Sequence, residues 1–257
     1  MDGKILSGKV ALVAGGSGGI GSAVAVALAE AGADVALTYR SGSERARNVV
    51  EAIEKQDRRS LALEVDVRRR ADVEKAVASV VSELGSVDVL VTAIGSGSHD
   101  FFMRQDESEW EEVWESDLRS IFYLSRAVLG SMMEHKSGRV IFVSSDSGKV
   151  GNIGGAVSAA ARGGIHAFTK SLAREMARDK ITINAVCPGP TRTANFEQRM
   201  MKAEGHMKYW DRVVKNIPLK RVAETREVAS LVVYLASPDA GFITGQAISV
   251  SGGLTMV

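Results

Sequence analysis

Lys9 to Ala14 (KVALVA) is a short apolar run, and Gly15-Gly16-Ser17-Gly18-Gly19-Ile20-Gly21 follows it directly. From Ile20 to Ala31 the chain is rich in Ala and Val and reads as a helix. Glycines let a backbone turn tightly and come close to a ligand. The helix start adds unpaired N–H groups and a partial positive charge, which favour a phosphate. A glycine-rich turn alone is weak evidence. The strand before it and the helix after it make it a dinucleotide fingerprint. Gly15, Ser17, Gly19, Ile20 and Gly21 are therefore the expected pyrophosphate contacts.

The rest of the chain keeps the same alternation. Asp34–Tyr39, Ser60–Val65, Val87–Ala93, Arg139–Ser144, Ile181–Val186 and Ala247–Val250 are further strand-like runs. Helices are expected at Ser43–Gln56 with Ser43 as N-cap, near Ala71–Leu84, over one long stretch Glu107–His135, at Gly155–Arg178 and at Thr225–Ala236. Near-continuous Val, Ile, Leu and Ala strands separated by helices call for a parallel sheet covered on both faces. The expectation is an α/β, doubly wound parallel sheet (a Rossmann fold) in a single domain over residues 1–257. Thr193 to Ile217 breaks the pattern with Met, Lys and aromatic residues. It reads as a mobile cover above the carboxyl ends of the strands, or alternatively as an ordinary surface helix pair.

Charge excludes some partners. Lys plus Arg number 32 against 31 Asp plus Glu, a net charge of +1. Binding nucleic acid by bulk charge needs a basic surplus, so none is expected. Hydrophobic residues are 45% and charged residues 25%, which excludes a disordered or disulfide-framework chain. Cys187 is the single cysteine and cannot close an internal disulfide, which fits a reducing compartment. No stretch reaches the ~18 uncharged apolar residues of a membrane span. Met1-Asp2-Gly3-Lys4 does not start a signal peptide. A cytoplasmic, soluble protein with a small-molecule substrate and no metal is expected.

The second strand ends at Thr38-Tyr39-Arg40-Ser41. NAD-binding proteins place an acidic residue near here to accept the adenosine ribose hydroxyls. This chain offers Arg40 and Ser41 instead. A guanidinium pairs with a 2′-phosphate and no carboxylate repels it, which points to NADP(H). A solvated surface arginine is the alternative.

With these motifs in hand, the chain resembles the short-chain dehydrogenase/reductase family over nearly its whole length, and its ketoacyl-reductase-like branch most. The matching pieces are the glycine loop, Asp66-Val67, Gly95, Val143-Ser144-Ser145, Phe168 to Glu175, Asn184 to Gly189, Thr244-Gly245-Gln246 and Ser251-Gly252-Gly253. The resemblance implies that Asp66 and Val67 hold the adenine. It also implies that Pro188, Gly189, Thr191 and Thr193 flank the nicotinamide. A homotetramer through two long helices and the last strand is implied too.

The family's proton chemistry uses Ser, Tyr, Lys and usually Asn. Ser145 matches the serine, but Ser158 stands at the tyrosine position, Arg162 at the lysine and Asp117 at the asparagine. The flanking residues align without gaps, and no tyrosine occurs between Tyr123 and Tyr209. A phenol starts near pKa ~10 and a neighbouring cation lowers it. A serine hydroxyl starts far higher. Arginine stays protonated above pKa ~12, so it can hold a ribose hydroxyl or a carboxylate but is a poor proton relay. Asp117 and Arg162 are expected to meet as an ion pair if the two replacements are linked.

Other side chains offer a proton. His99, Asp100, Asp146, Lys149, His206 and Tyr209 lie near the expected site, each reading first as a surface residue. Ser158, Arg162 and His166 share a helix face. His166 reads as structural or as an interface residue, Cys187 as packing, and Trp110 with Trp114 as helix packing. Three functions stay open. One is an NADP(H)-dependent oxidoreductase of carbonyls or alcohols with an altered proton donor. Another is a non-redox isomerase, dehydratase or cyclase. The last is a non-catalytic NADP-binding subunit.

Overall fold

The computed structural model describes residues 4–95, 100–194, 196–197 and 211–257. Strand β1 spans Val10–Ala14, helix α1 Gly19–Glu30, β2 Asp34–Tyr39, α2 Ser43–Glu54, β3 Ser60–Glu64, α3 Arg70–Glu83 and β4 Val89–Thr92. Then come α4 Glu107–Val113, α5 Ser120–His135, β5 Gly138–Val143, a short α6 Ser147–Val150, α7 Ala156–Met176 and β6 Ile181–Pro188. Two-residue strands β7 (Thr191–Arg192) and β8 (Ala223–Glu224) precede the C-terminal helix Thr225–Ala236 and strand β9, Ala247–Val250.

The main sheet has seven strands in the order β3-β2-β1-β4-β5-β6-β9, all parallel. Strand periodicity explains why both faces are covered. In β1, Val10, Leu12 and Ala14 face one core while Ala11 and Val13 face the other. In β5, Val140 and Phe142 divide from Ile141 and Val143 in the same way. Successive side chains point to opposite faces, so a strand apolar throughout must be buried twice. The doubly wound sheet expected from sequence is what forms. The order reverses between β1 and β4, and that switch point opens a crevice at the carboxyl ends of the strands.

Local differences have local causes. Gly42, not Ser43, caps α2, with φ +81. The chain leaves β2 through a left-handed residue, which suits glycine, and Ser43 is already helical. The stretch 107–135 is interrupted: Trp114–Arg119 forms a π-turn between α4 and α5. Just after it, the Ser120 hydroxyl donates back to the Ser116 carbonyl. The parallel pair of β7 and β8 ties together the two ends of the insertion after β6. Residues 195 and 198–210 of the expected cover lie outside the described residues, and so do His206 and Tyr209.

Candidate active site

The crevice at the switch point is a cleft of about 200 Å³. Gly15, Ser17 and Gly18 after β1, Tyr39 to Ser41 after β2, and Val65, Val67 and Arg68 after β3 line it. Arg45 from α2, Ala93 to Gly95 after β4, and Ser116 from the π-turn complete the wall. A second hollow of about 260 Å³ lies between Leu219, Arg221, Glu227 and Ser249 to Gly253, and no glycine-loop residue lines it.

The glycine loop fits a pyrophosphate. Gly15 has φ +80, and a Cβ there would stand 2.6 Å from the Ala93 carbonyl oxygen. At Gly21 a Cβ would stand 2.2 Å from the Gly15 carbonyl oxygen. The loop therefore closes on itself and on the end of β4 only because both lack side chains. Gly18 caps α1 without a side-chain hydrogen bond, and the first turn carries no acidic residue, so no carboxylate offsets the positive end of the helix. Thr193 packs directly over Gly19, where a Cβ would meet its side chain at 2.7 Å. Arg40 and Ser41 are exposed at the rim, with Glu112 3.8 Å from the Arg40 guanidinium.

The Asp66 carboxylate is forked by Arg68. Arg68 donates from Nε to Oδ1 at 2.8 Å and from Nη2 to Oδ2 at 2.6 Å, and its backbone N–H reaches Oδ1 at 3.1 Å. The Arg68 hydrogen bonds hold the Asp66 carboxyl below the usual carboxylate range, and Asp66 holds the guanidinium above its own.

At the catalytic end, α7 carries Ser158 and Arg162, both buried. Arg162 Nη2 donates to Asp117 Oδ2 at 2.9 Å and to the Ile94 carbonyl at 3.1 Å, while Nη1 donates to the Val143 carbonyl at 3.1 Å. The expected ion pair is present, with side chains 10% and 0% exposed. Ser116 Oγ donates to the other Asp117 oxygen at 2.7 Å. Gly95 makes room for the guanidinium, since a Cβ there would stand 2.5 Å from Arg162 Nη2. Ser145 follows β5, and its Oγ accepts from the Ser147 N–H at 3.2 Å and the Ser147 hydroxyl at 3.0 Å. Thr191 donates to the Gly189 carbonyl at 2.9 Å beyond β6.

The remaining proton candidates divide. His166 sits behind the site against Ser144 Oγ at 3.0 Å and Cys187 Sγ at 3.2 Å. Burial pushes its pKa down to about 4, and the charges of Lys149, Lys170 and Arg162 add to this. Burial likewise pushes the Cys187 thiol up to about 12. Neither exchanges a proton near neutrality. Lys149 donates to Ser249 Oγ at 2.9 Å, toward β9. Asp146 is buried, and neither carboxylate oxygen has a hydrogen-bond partner among the described residues. Asp100 is exposed and accepts from the Phe101 N–H, and His99 lies outside the described residues. Trp110 stacks on Phe102 at 5.0 Å and packs with Val113 and Val157.

Sequence reasoning missed Arg45, Arg68 and Ser116 in the cleft wall. A signal existed for Arg68, the basic run Arg68-Arg69-Arg70 straight after Asp66. No comparable signal marks Ser116, whose place depends on the π-turn.

Comparison with known proteins agrees with this geometry. The family model described as Enoyl-(Acyl carrier protein) reductase matches residues 14–255. A 3-oxoacyl-[acyl-carrier-protein] reductase, FabG, of Vibrio cholerae is 40% identical, covering 98% of this chain and 99% of the relative. Its counterpart from Staphylococcus epidermidis is 38% identical over 96% of this chain and 99% of the relative. The solved short-chain dehydrogenase/reductase from Serratia marcescens superposes with a TM-score of 0.90 at 32% identity, covering 98% of this chain and 100% of that one.

Proposed function

The chain belongs to the short-chain dehydrogenase/reductase family of oxidoreductases, and from that premise we propose that it binds NADP(H) and acts on a carbonyl or alcohol without a Tyr–Lys proton route. One observation carries this: Arg162 is locked onto Asp117 at 2.9 Å beside a glycine loop that still fits a pyrophosphate. Bound in the cleft, the cofactor would supply or accept hydride at its nicotinamide.

The chain's own residues do the rest. Gly15, Ser17, Gly19, Ile20 and Gly21 cradle the pyrophosphate. Arg40 and Ser41 take the 2′-phosphate. Gly95, Pro188, Gly189, Thr191 and Thr193 border the nicotinamide end. Ser145 accepts two hydrogen bonds from Ser147, so its own proton is left to meet a substrate oxygen. Arg162 directs three of its five N–H donors to two carbonyls and Asp117 and fixes α7 against the ends of β4 and β5. It stays charged, and the Ser158 hydroxyl is far too weak an acid to replace a phenol. A missing positioned acid/base costs ~10²–10⁴-fold in rate. Positioning of donor and acceptor remains. Relatives named as 3-oxoacyl reductases support a carbonyl substrate. The resemblance supports a cytoplasmic homotetramer.

A second reading is a cofactor-bound isomerase, dehydratase, cyclase or non-catalytic subunit. It is favoured by Asp146, buried beside Ser145 with neither carboxylate oxygen hydrogen-bonded among the described residues, which could serve as its base. NADPH oxidation with a panel of ketones, quinones and enones decides between them. Slow, substrate-dependent oxidation is the result expected. The triple variant Ser158→Tyr, Arg162→Lys, Asp117→Asn is expected to raise it by roughly 10²-fold or more. Tight NADPH binding without turnover on any substrate establishes the second reading.

A further inference from the structure

A proton given up by Ser145 has to be replaced, and the residues around it limit where the replacement comes from. A serine hydroxyl has one proton to donate and two acceptor sites. The Ser147 N–H and the Ser147 hydroxyl donate to the two acceptor sites of Ser145 Oγ, at 3.2 Å and 3.0 Å. The Arg162 guanidinium is directed to Asp117 and to the carbonyls of Ile94 and Val143. His166 Nε2 faces Ser144 and Cys187. The Asp146 carboxylate makes no hydrogen bond to a described residue, Ser145 included. Among the described residues, Ser147 is therefore the group from which Ser145 Oγ can take a proton. Ser147 opens α6 and is partly exposed, so its hydroxyl is within reach of solvent. The pair is held in place. The Ser147 N–H bond to Ser145 is a local turn contact two residues apart. Gly148 lets α6 lie close on α7, since a Cβ there would stand 2.7 Å from the Arg162 carbonyl carbon and from His166 Cε1.

On the oxidoreductase reading above, we propose that Ser147 is a positioning residue that feeds the reaction proton to Ser145, so that two serine hydroxyls in series stand in for the Tyr–Lys route. In reduction, hydride from the dinucleotide forms the new C–H bond, and the electron pair of the C=O π bond moves onto oxygen. That oxygen takes the Ser145 proton, Ser145 Oγ takes the Ser147 proton, and solvent water reprotonates Ser147. One hydride and one solvent proton are consumed; the carbonyl is reduced to an alcohol and the dinucleotide is oxidised. A hydroxyl donates and accepts at once, which is what a relay requires. A serine alkoxide and the product alkoxide are bases of one kind, so each transfer is near balance and no strong acid is required.

Steady-state ketone reduction with NADPH, run in light water, heavy water and their mixtures, tests the relay. NADPH titration by tryptophan fluorescence runs beside it. In wild type, kcat is expected to fall with deuterium content along a bowed curve, the mark of more than one proton in flight. Ser147→Ala is expected to lower kcat by about tenfold or more and to straighten the curve. The same variant is expected to leave KM and the Kd for NADPH within about twofold of wild type. Ser147→Thr keeps the hydroxyl and is expected to bring kcat back to within about threefold of wild type. Because Ser147 acts only through Ser145, the double variant Ser145→Ala, Ser147→Ala is expected to be no slower than Ser145→Ala alone.

Three outcomes overturn the proposal. In the first, Ser147→Ala keeps the wild-type kcat. In the second, wild type gives a straight line in mixed water. In the third, the double variant is slower than Ser145→Ala by the whole factor that Ser147→Ala costs on its own. A wild type that binds NADPH yet reduces no ketone, quinone or enone is a different result: the oxidoreductase reading itself has then failed, and the relay falls with it.

Discussion

Arg162 shows how one residue can change what a neighbouring carboxylate is for. Its guanidinium joins Asp117 to the ends of β4 and β5 with both partners buried. Removing either member leaves a buried charge without its partner, which typically costs ~3–5 kcal/mol. Urea unfolding of Arg162→Met and Asp117→Leu is expected to show losses of about that size. The double variant is expected to lose clearly less than their sum; strict additivity would mean that the pair is not coupled. His166 gives a second prediction. Its folded pKa of about 4 lies below the ordinary 6.5, so the unfolded chain takes up a proton first as pH falls. Stability from this group is complete above pH 6.5 and drains away between 6.5 and about 4, by up to roughly 3 kcal/mol. A His166→Gln variant is expected to flatten that slope in acid titrations of stability, and an unchanged slope would assign it elsewhere.

Elements explain which of these features could be read in advance. The β1–loop–α1 unit was legible because its information is local: an apolar run, five glycines in the seven residues Gly15–Gly21, then a helix. Gly15→Ala puts a Cβ 2.6 Å from the Ala93 carbonyl at a residue with φ +80. It is expected to destabilise by ~1–3 kcal/mol and to weaken dinucleotide binding at least tenfold, read by thermal unfolding and titration. The π-turn Trp114–Arg119 was not legible. It lies within a stretch whose composition reads as continuous helix. That turn brings Ser116 to the cleft and Asp117 to Arg162, so the site depends on an irregularity that apolar periodicity does not encode. The Gly42 cap was missed for a similar reason, because the need for a left-handed residue there follows from how β2 meets α2.

Across the whole molecule, the parallel sheet places the loops after its strands at one edge, and the cleft forms where the strand order reverses. The parallel sheet was readable because strands such as β1, β4 and β6 are buried along their whole length. Pairings between distant side chains were readable only where two substitutions pointed to each other, as with Asp117 and Arg162. The Arg68 fork onto Asp66 involves near neighbours, yet nothing in their spacing says that the fork forms. The central claim is that the nucleotide cradle is intact while the proton-handling residues beside it have been exchanged. Titration of the purified protein with NADPH and NADH, followed by tryptophan fluorescence, tests this most directly. Saturable micromolar binding that prefers NADPH, with the preference lost in Arg40→Ala, is the predicted result. No association with either dinucleotide at millimolar concentration would contradict the account.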